Sequence, residues 1–88
     1  MDELKQTVDL MLSDDYKERF KAEYHQVKIR YEKLKTFNNK IEVSFITELE
    51  PPKHDCPLSL LRKQQSAMGE YLHILELRAE IEHVDLRG

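Results

Sequence analysis

Three lysines recur at seven-residue intervals, Lys21, Lys28 and Lys35. Seven residues is two helical turns, so a helix would carry all three along one edge. Written as heptads they are e positions, and in an antiparallel helix pair e faces e. Their partners are then Arg62, Gly69 and Glu76. The symmetric register predicts Lys21 against Glu76, Lys28 against Gly69 and Lys35 against Arg62. One end of the edge becomes a salt bridge. The other becomes a basic cluster beside a residue with no side chain, with Arg30, Tyr31 and Tyr71 near enough to add a further cation and two aromatic faces. Ammonium and guanidinium groups hold phosphate, and tyrosine stacks on a base. The candidate ligand-binding residues are therefore Lys28, Arg30, Tyr31, Lys35, Arg62 and Tyr71. The same pattern also reads as a solvated edge whose lysine stems cover apolar seam residues.

Other chemistry finds little support. The only glycines are Gly69 and Gly88, so there is no glycine-rich phosphate loop, and His25, His54, His73 and His83 are scattered. Cys56 is the single cysteine; it excludes an intrachain disulfide and a cysteine-rich zinc site. His54 lies two residues away, but a catalytic thiol also needs an orienting group. Glu76, Glu80 and Glu82 read as a solvated helix exterior. The expectation is a protein that is not an enzyme and takes no metal or cofactor.

The elements that would carry the edge follow from periodicity. Phe20, Tyr24, Val27, Tyr31 and Leu34 alternate in steps of four and three, the seam of packed helices. The spacing predicts a long helix over 14–38, with Ser13 as its N-cap and Asp14 and Asp15 in its first turn. Asn38 and Asn39 favour its end. A second long helix is predicted over 57–83, with Pro57 at its first position. Leu58, Leu61, Gln65, Met68, Leu72, Leu75 and Ala79 keep the same alternation, and Gln65 is a polar interruption of the kind that sets register. Residues 39–56 read as a partly buried connector in which Ile41, Val43 and Phe45 alternate with polar residues. Leu4, Val8 and Met11 suggest a short helix over 2–12. The fold class expected is all-α: an antiparallel helical hairpin of two long helices plus a short N-terminal helix, in one domain over 1–88.

The net charge of −3 conceals a basic middle, since residues 14–40 carry eight Lys or Arg against five acids. The total does not recommend duplex nucleic acid, while the middle can attract an anion locally. No apolar run reaches the roughly 20 residues of a membrane span, and Asp2, Glu3 and Asp9 oppose a signal peptide; the chain reads as cytoplasmic. A chain of 88 residues has little core. Tyr71, Ile74, Leu77 and Ile81 widen the last helix's apolar surface beyond one seam. A homo-oligomer is expected.

Two stretches carry a resemblance: SDDYKERFKAEYHQVKIRYEKLK, from Ser13 to Lys35, and CPLSLLRKQQSAMGEYLHILELRAEIE, from Cys56 to Glu82. With the Cys-Pro opening and the spaced Gln65, Met68, Tyr71, Leu72 and Arg78, they resemble a family of small, functionally unassigned phage proteins known from crAss-like gut phages and from phages and prophages of Gram-positive bacteria. The connector from Phe37 to Asp55 is longer than that family suggests, and Gly69 stands where a long polar side chain is expected. The resemblance implies a phage or prophage origin, hence the cytoplasm of an infected bacterial host. By analogy of size and build it implies counter-defence by binding, as a homo-oligomeric sponge for a cyclic nucleotide immune signal. The alternatives are a protein-binding inhibitor of a host defence enzyme, anti-CRISPR-like, presenting Ile74, Leu77, Ile81 and Val84, or a structural helical adaptor.

Overall fold

The computed structural model describes residues 15–87. Two antiparallel helices, α1 over Tyr16–Thr47 and α2 over Leu58–Glu82, form a helical hairpin, with no strand among the described residues. The short helix expected over 2–12, and Ser13 as a cap, lie outside them. At 1.5 Å per residue the 32 residues of α1 span about 48 Å, and the long dimension of the molecule is 49 Å.

Asp15 opens α1. Its backbone is extended, and its carboxylate accepts from the Lys17 backbone N–H at 2.9 Å. An acid at a helix N-terminus also meets the positive end of the dipole.

The far end of α1 departs from expectation. The helix runs nine residues past Asn38, to Thr47, so the connector is only 48–57. Asn ends helices when its side chain competes for local backbone groups. Asn38 does not, because α2 supplies its partners. Its Nδ2 donates to the Leu61 carbonyl at 3.2 Å and to Gln65 Oε1 at 3.1 Å, and the residue is fully buried. The alternation of Ile41 and Val43 also belongs to a helix. Residues two apart point about 200° apart, so Ile41 is buried and Val43 is exposed.

Both helices end on a residue with left-handed backbone, Glu48 at φ 59° and His83 at φ 59°. The N–H groups of Leu49 and Val84 reach back to the carbonyls of Ser44 and Ala79 at 3.1 and 2.9 Å, the wrap of a Schellman motif. Its usual hydrophobic contact follows at the second, where Val84 folds into the core. Pro57 sits one position before that expected, as the N-cap of α2. Its carbonyl accepts from Leu60 and Leu61 at 3.1 and 3.2 Å, while its own ψ of 145° is extended.

The core occupies the half of the hairpin nearest the start of α1. Phe20, Tyr24, Leu72, Leu75, Ala79 and Val84 are buried together, with Val27, Tyr31 and Leu86 packed against them. This is the predicted heptad seam. Arg78 lays its guanidinium 4.9 Å from the Phe20 ring centroid while pairing with Glu82 at 2.8 Å.

Candidate functional site

One edge of the seam opens into a groove. From α1 it takes Tyr24, Lys28, Tyr31 and Glu32, and from α2 Gly69, Leu72, His73 and Glu76. Within each set the residues recur at spacings of three, four and seven, with Tyr31 beside Glu32 and Leu72 beside His73, so each set is one helical face. The cavity is about 200 Å³, below the roughly 300–1,000 Å³ of sites that enclose a drug-sized ligand. It is large enough for part of a nucleotide.

Gly69 packs against Tyr31 of α1. A Cβ there would stand 3.2 Å from Tyr31 Cε1 and 3.5 Å from its hydroxyl. The room left by the missing side chain is taken by the Tyr31 ring, so close helix packing explains Gly69. Beside it, the Tyr24 hydroxyl donates to Glu76 Oε2 at 2.7 Å. Burial pushes the Tyr24 phenol up to about 12, and the bond and charge of Glu76 push the same way. The Lys28 ammonium lies 5.8 Å from the Tyr24 ring centroid. The groove thus offers a cation, an imidazole and two tyrosine faces, with Glu32 and the already bonded Glu76 as counter-charges.

The register differs from the symmetric one. Glu76 bonds Tyr24 rather than Lys21, and Gly69 meets Tyr31 as well as bordering the Lys28 groove. The helices have slid by about one turn, and the reason is at the other end. Arg62 Nη1 donates to Gln65 Oε1 at 2.7 Å, its Nη2 to Asn39 Oδ1 at 3.2 Å and to Glu42 at 2.8 Å. Together with Asn38, these bonds lock Gln65 opposite Asn38.

The six expected site residues therefore divide. Lys28 and Tyr31 line the groove. Arg62 is engaged by Glu42 and Gln65, away from Lys35, which is exposed. Arg30 is exposed two residues after Lys28, about 200° around the helix. Tyr71 is exposed and is not among the groove residues. Val84, expected on an outward face, is in the core. Glu32 is not among the residues the spacing singled out, His73 reads there as surface, and Glu76 is expected opposite Lys21 rather than in the groove. The available signal is spacing: Glu32 follows Lys28 and His73 follows Gly69, each by four residues, and Glu76 follows Gly69 by seven.

A wider groove of about 490 Å³ adjoins through Glu76 and is lined by Glu80, His83, Asp85 and Arg87 among others. The Arg87 backbone N–H and guanidinium hold the Asp85 carboxyl below its usual range. On α1, burial lowers the proton affinity of His25, with Lys28 and Lys21 adding repulsion and a bond to the Leu86 backbone opposing. At the hairpin tip, His54 Nδ1 contacts the Pro52 carbonyl at 2.7 Å and Cys56 is exposed. Among the described residues no cluster of metal-ligating side chains occurs, and no helix is long and apolar enough to cross a membrane.

The fold is thus a two-helix scaffold with a small groove along its seam. The chain belongs to the Sequestin family, whose sequence pattern matches residues 14–81 and so takes in both helices. The family's name is consistent with a sequestering role. No curated protein and no solved structure matches the chain.

Proposed function

We propose that this protein is a phage counter-defence factor that acts by binding without turnover, as a homo-oligomeric sponge for a cyclic nucleotide immune signal in the infected cell. The observation that carries this reading is the groove at Gly69, which Lys28 and Tyr31 both line and where the Lys28 ammonium lies 5.8 Å from the Tyr24 ring centroid. Lys28 would hold a phosphate and Tyr31 a base, with His73 as a second donor. Membership in the Sequestin family supports sequestration in general. The groove's size implies that it holds one phosphate-and-ring portion of the ligand and leaves the rest outside.

Titration calorimetry against a panel of cyclic nucleotides tests the reading, and an absence of heat with all of them removes it. Lys28→Glu is expected to weaken binding more than tenfold at unchanged helical content, since a charge-assisted bond contributes about 1.5–3 kcal/mol and reversal adds repulsion. Lys21→Glu is expected to do less, because Lys21 acts on Asp85 and His25 rather than on the groove. Equal losses at both positions would reduce the effect to general electrostatics.

A second reading, inhibition of a host defence enzyme through a helix face, draws on Ile74, Leu77 and Ile81, which are all exposed. Recovery of one stoichiometric host protein, lost in Ile74→Glu, would favour it.

A further inference from the structure

We infer that the base taken at Tyr31 is guanine, and that the Glu32 carboxylate reads its edge. The inference rests on the proposed function, with a phosphate at Lys28 and a ring on Tyr31, and adds the residue that selects the ring.

The groove holds more acceptors than a phosphate site calls for. Its lining carries two carboxylates, Glu32 and Glu76, against one ammonium, Lys28. Glu76 is committed, since its Oε2 accepts from the Tyr24 hydroxyl at 2.7 Å. Glu32 is exposed and makes no hydrogen bond or ion pair among the described residues. Lys28, four residues before it on the same face, lies instead against the Tyr24 ring, 5.8 Å from its centroid. An unengaged carboxylate so close to the cation weakens the hold on any anion. It works against a groove that takes phosphate alone, and it suits one that also takes a donor-rich ring.

The order along α1 places Glu32 at the ring's outer edge. Lys28, Tyr31 and Glu32 follow one another toward the hairpin tip, with 1.5 Å of rise per residue. A nucleotide laid along them has its phosphate at Lys28, its ring on Tyr31 and the far edge of the ring at Glu32. The sugar lies between the first two and falls short of Glu32. Glu32 also borders the next groove, lined by Lys33, Thr36, Phe37 and Lys40. Space therefore continues past its carboxylate, which a bicyclic ring needs.

An ionised carboxylate accepts hydrogen bonds and cannot donate them. Guanine presents two neighbouring donors, its ring N–H and its exocyclic amine, and these match the two carboxylate oxygens. Adenine presents one amine beside a ring nitrogen whose lone pair faces the carboxylate. Cytosine has the same mixed edge, and uracil sets a single donor between two acceptors. The full charge on Glu32 strengthens the matched pair of bonds and sharpens the mismatch.

Titration calorimetry of the full chain with cyclic GMP against cyclic AMP, and with cyclic di-GMP against cyclic di-AMP, tests the inference. The guanine member of a pair is expected to bind tighter by about tenfold, the discrimination that a bidentate contact to one base edge gives. Glu32→Gln exchanges one acceptor oxygen for a donor at an exposed position, and the new amide matches adenine. The guanine preference is expected to vanish or reverse in that variant, with helical circular dichroism unchanged. The 2′-deoxy form of cyclic GMP is expected to bind as its parent does. Adenine members bound as tightly as guanine members, or a guanine preference kept in Glu32→Gln, would overturn the inference and leave the phosphate site standing. So would a loss on 2′-deoxygenation that disappears in Glu32→Gln, which would place Glu32 on the sugar. An absence of heat with all four nucleotides removes the proposed function and the inference together.

Discussion

The two halves of the hairpin are joined by different chemistry. Near the start of α1 the contact is apolar, with Phe20, Tyr24, Leu72, Leu75 and Ala79 closing over one another. Toward the tip, beside the buried Ile41, it is largely polar, with Asn38 buried against Gln65 and the Leu61 carbonyl, and Arg62 tying Gln65 to Asn39 and Glu42. Apolar contacts are non-directional and tolerate a slide of one turn, since another apolar residue arrives each time. Hydrogen bonds between buried amides do not. The apolar half contributes most of the affinity between the helices, and the polar half selects the register.

Substitutions test that division. The largest effect is expected at Leu75, 1% exposed, where Leu75→Ala should cost about 2–5 kcal/mol in urea unfolding; a loss near zero would mean that the apolar half is not the anchor. Asn38→Ala should cost about 1–3 kcal/mol, because Gln65 Oε1 loses one donor and the Leu61 carbonyl loses its side-chain partner. The double change Asn38→Leu with Gln65→Leu should recover that stability while the register loosens, visible as broadened Tyr24 and Tyr31 ring signals in NMR. Stability kept with sharp signals would show that the polar half is dispensable for register.

Gly69→Ala sharpens the comparison at the boundary between the halves. Relief of the glycine penalty, about 1 kcal/mol, opposes a Cβ placed 3.2 Å from Tyr31. The net stability change should be under about 1 kcal/mol, while the Tyr31 ring is displaced into the groove and ligand heat falls. Loss of stability without loss of binding would separate the groove from its assigned role.

Titration probes the apolar half from both sides of neutrality. Tyr24, raised to about 12 from an ordinary 10.0, stabilises the fold fully below pH 10. That contribution is lost as pH climbs through 12, because the unfolded phenol ionises first. Ultraviolet titration should show one of the four tyrosines ionising late, and Glu76→Gln should bring it earlier. His25 works from the acid side. Its lowered proton affinity means the unfolded chain takes the proton first, so stability present above about pH 6.5 declines as pH falls through the folded value. An unchanged melting temperature between pH 7 and pH 5 in a variant carrying only this histidine would contradict it.

How much of this was legible in the sequence follows the same division. The seam from Phe20 to Leu34 and from Leu58 to Ala79 showed in its spacing, because apolar packing writes itself as period. Gln65 was legible as a register residue from its place among apolar neighbours. Asn38 was not. Its helix-ending habit is a local property, overridden by a partner 27 residues away. With Asn38 misread, α1 was cut short, the connector overlong and the register off by a turn. Lys28 and Tyr31 survived that error because they lie close to Gly69 in either register, whereas the assignment of Arg62 depended on the register itself.

The two left-handed helix ends leave thermal headroom. Glu48 and His83 hold a backbone that costs a side chain roughly 1–2 kcal/mol and costs glycine almost nothing. In a chain this small each kilocalorie recovered moves the melting temperature by about 4–8 °C. Glycine at both positions would make a hardier protein by replacing two residues that lie outside both the seam and the Lys28 groove.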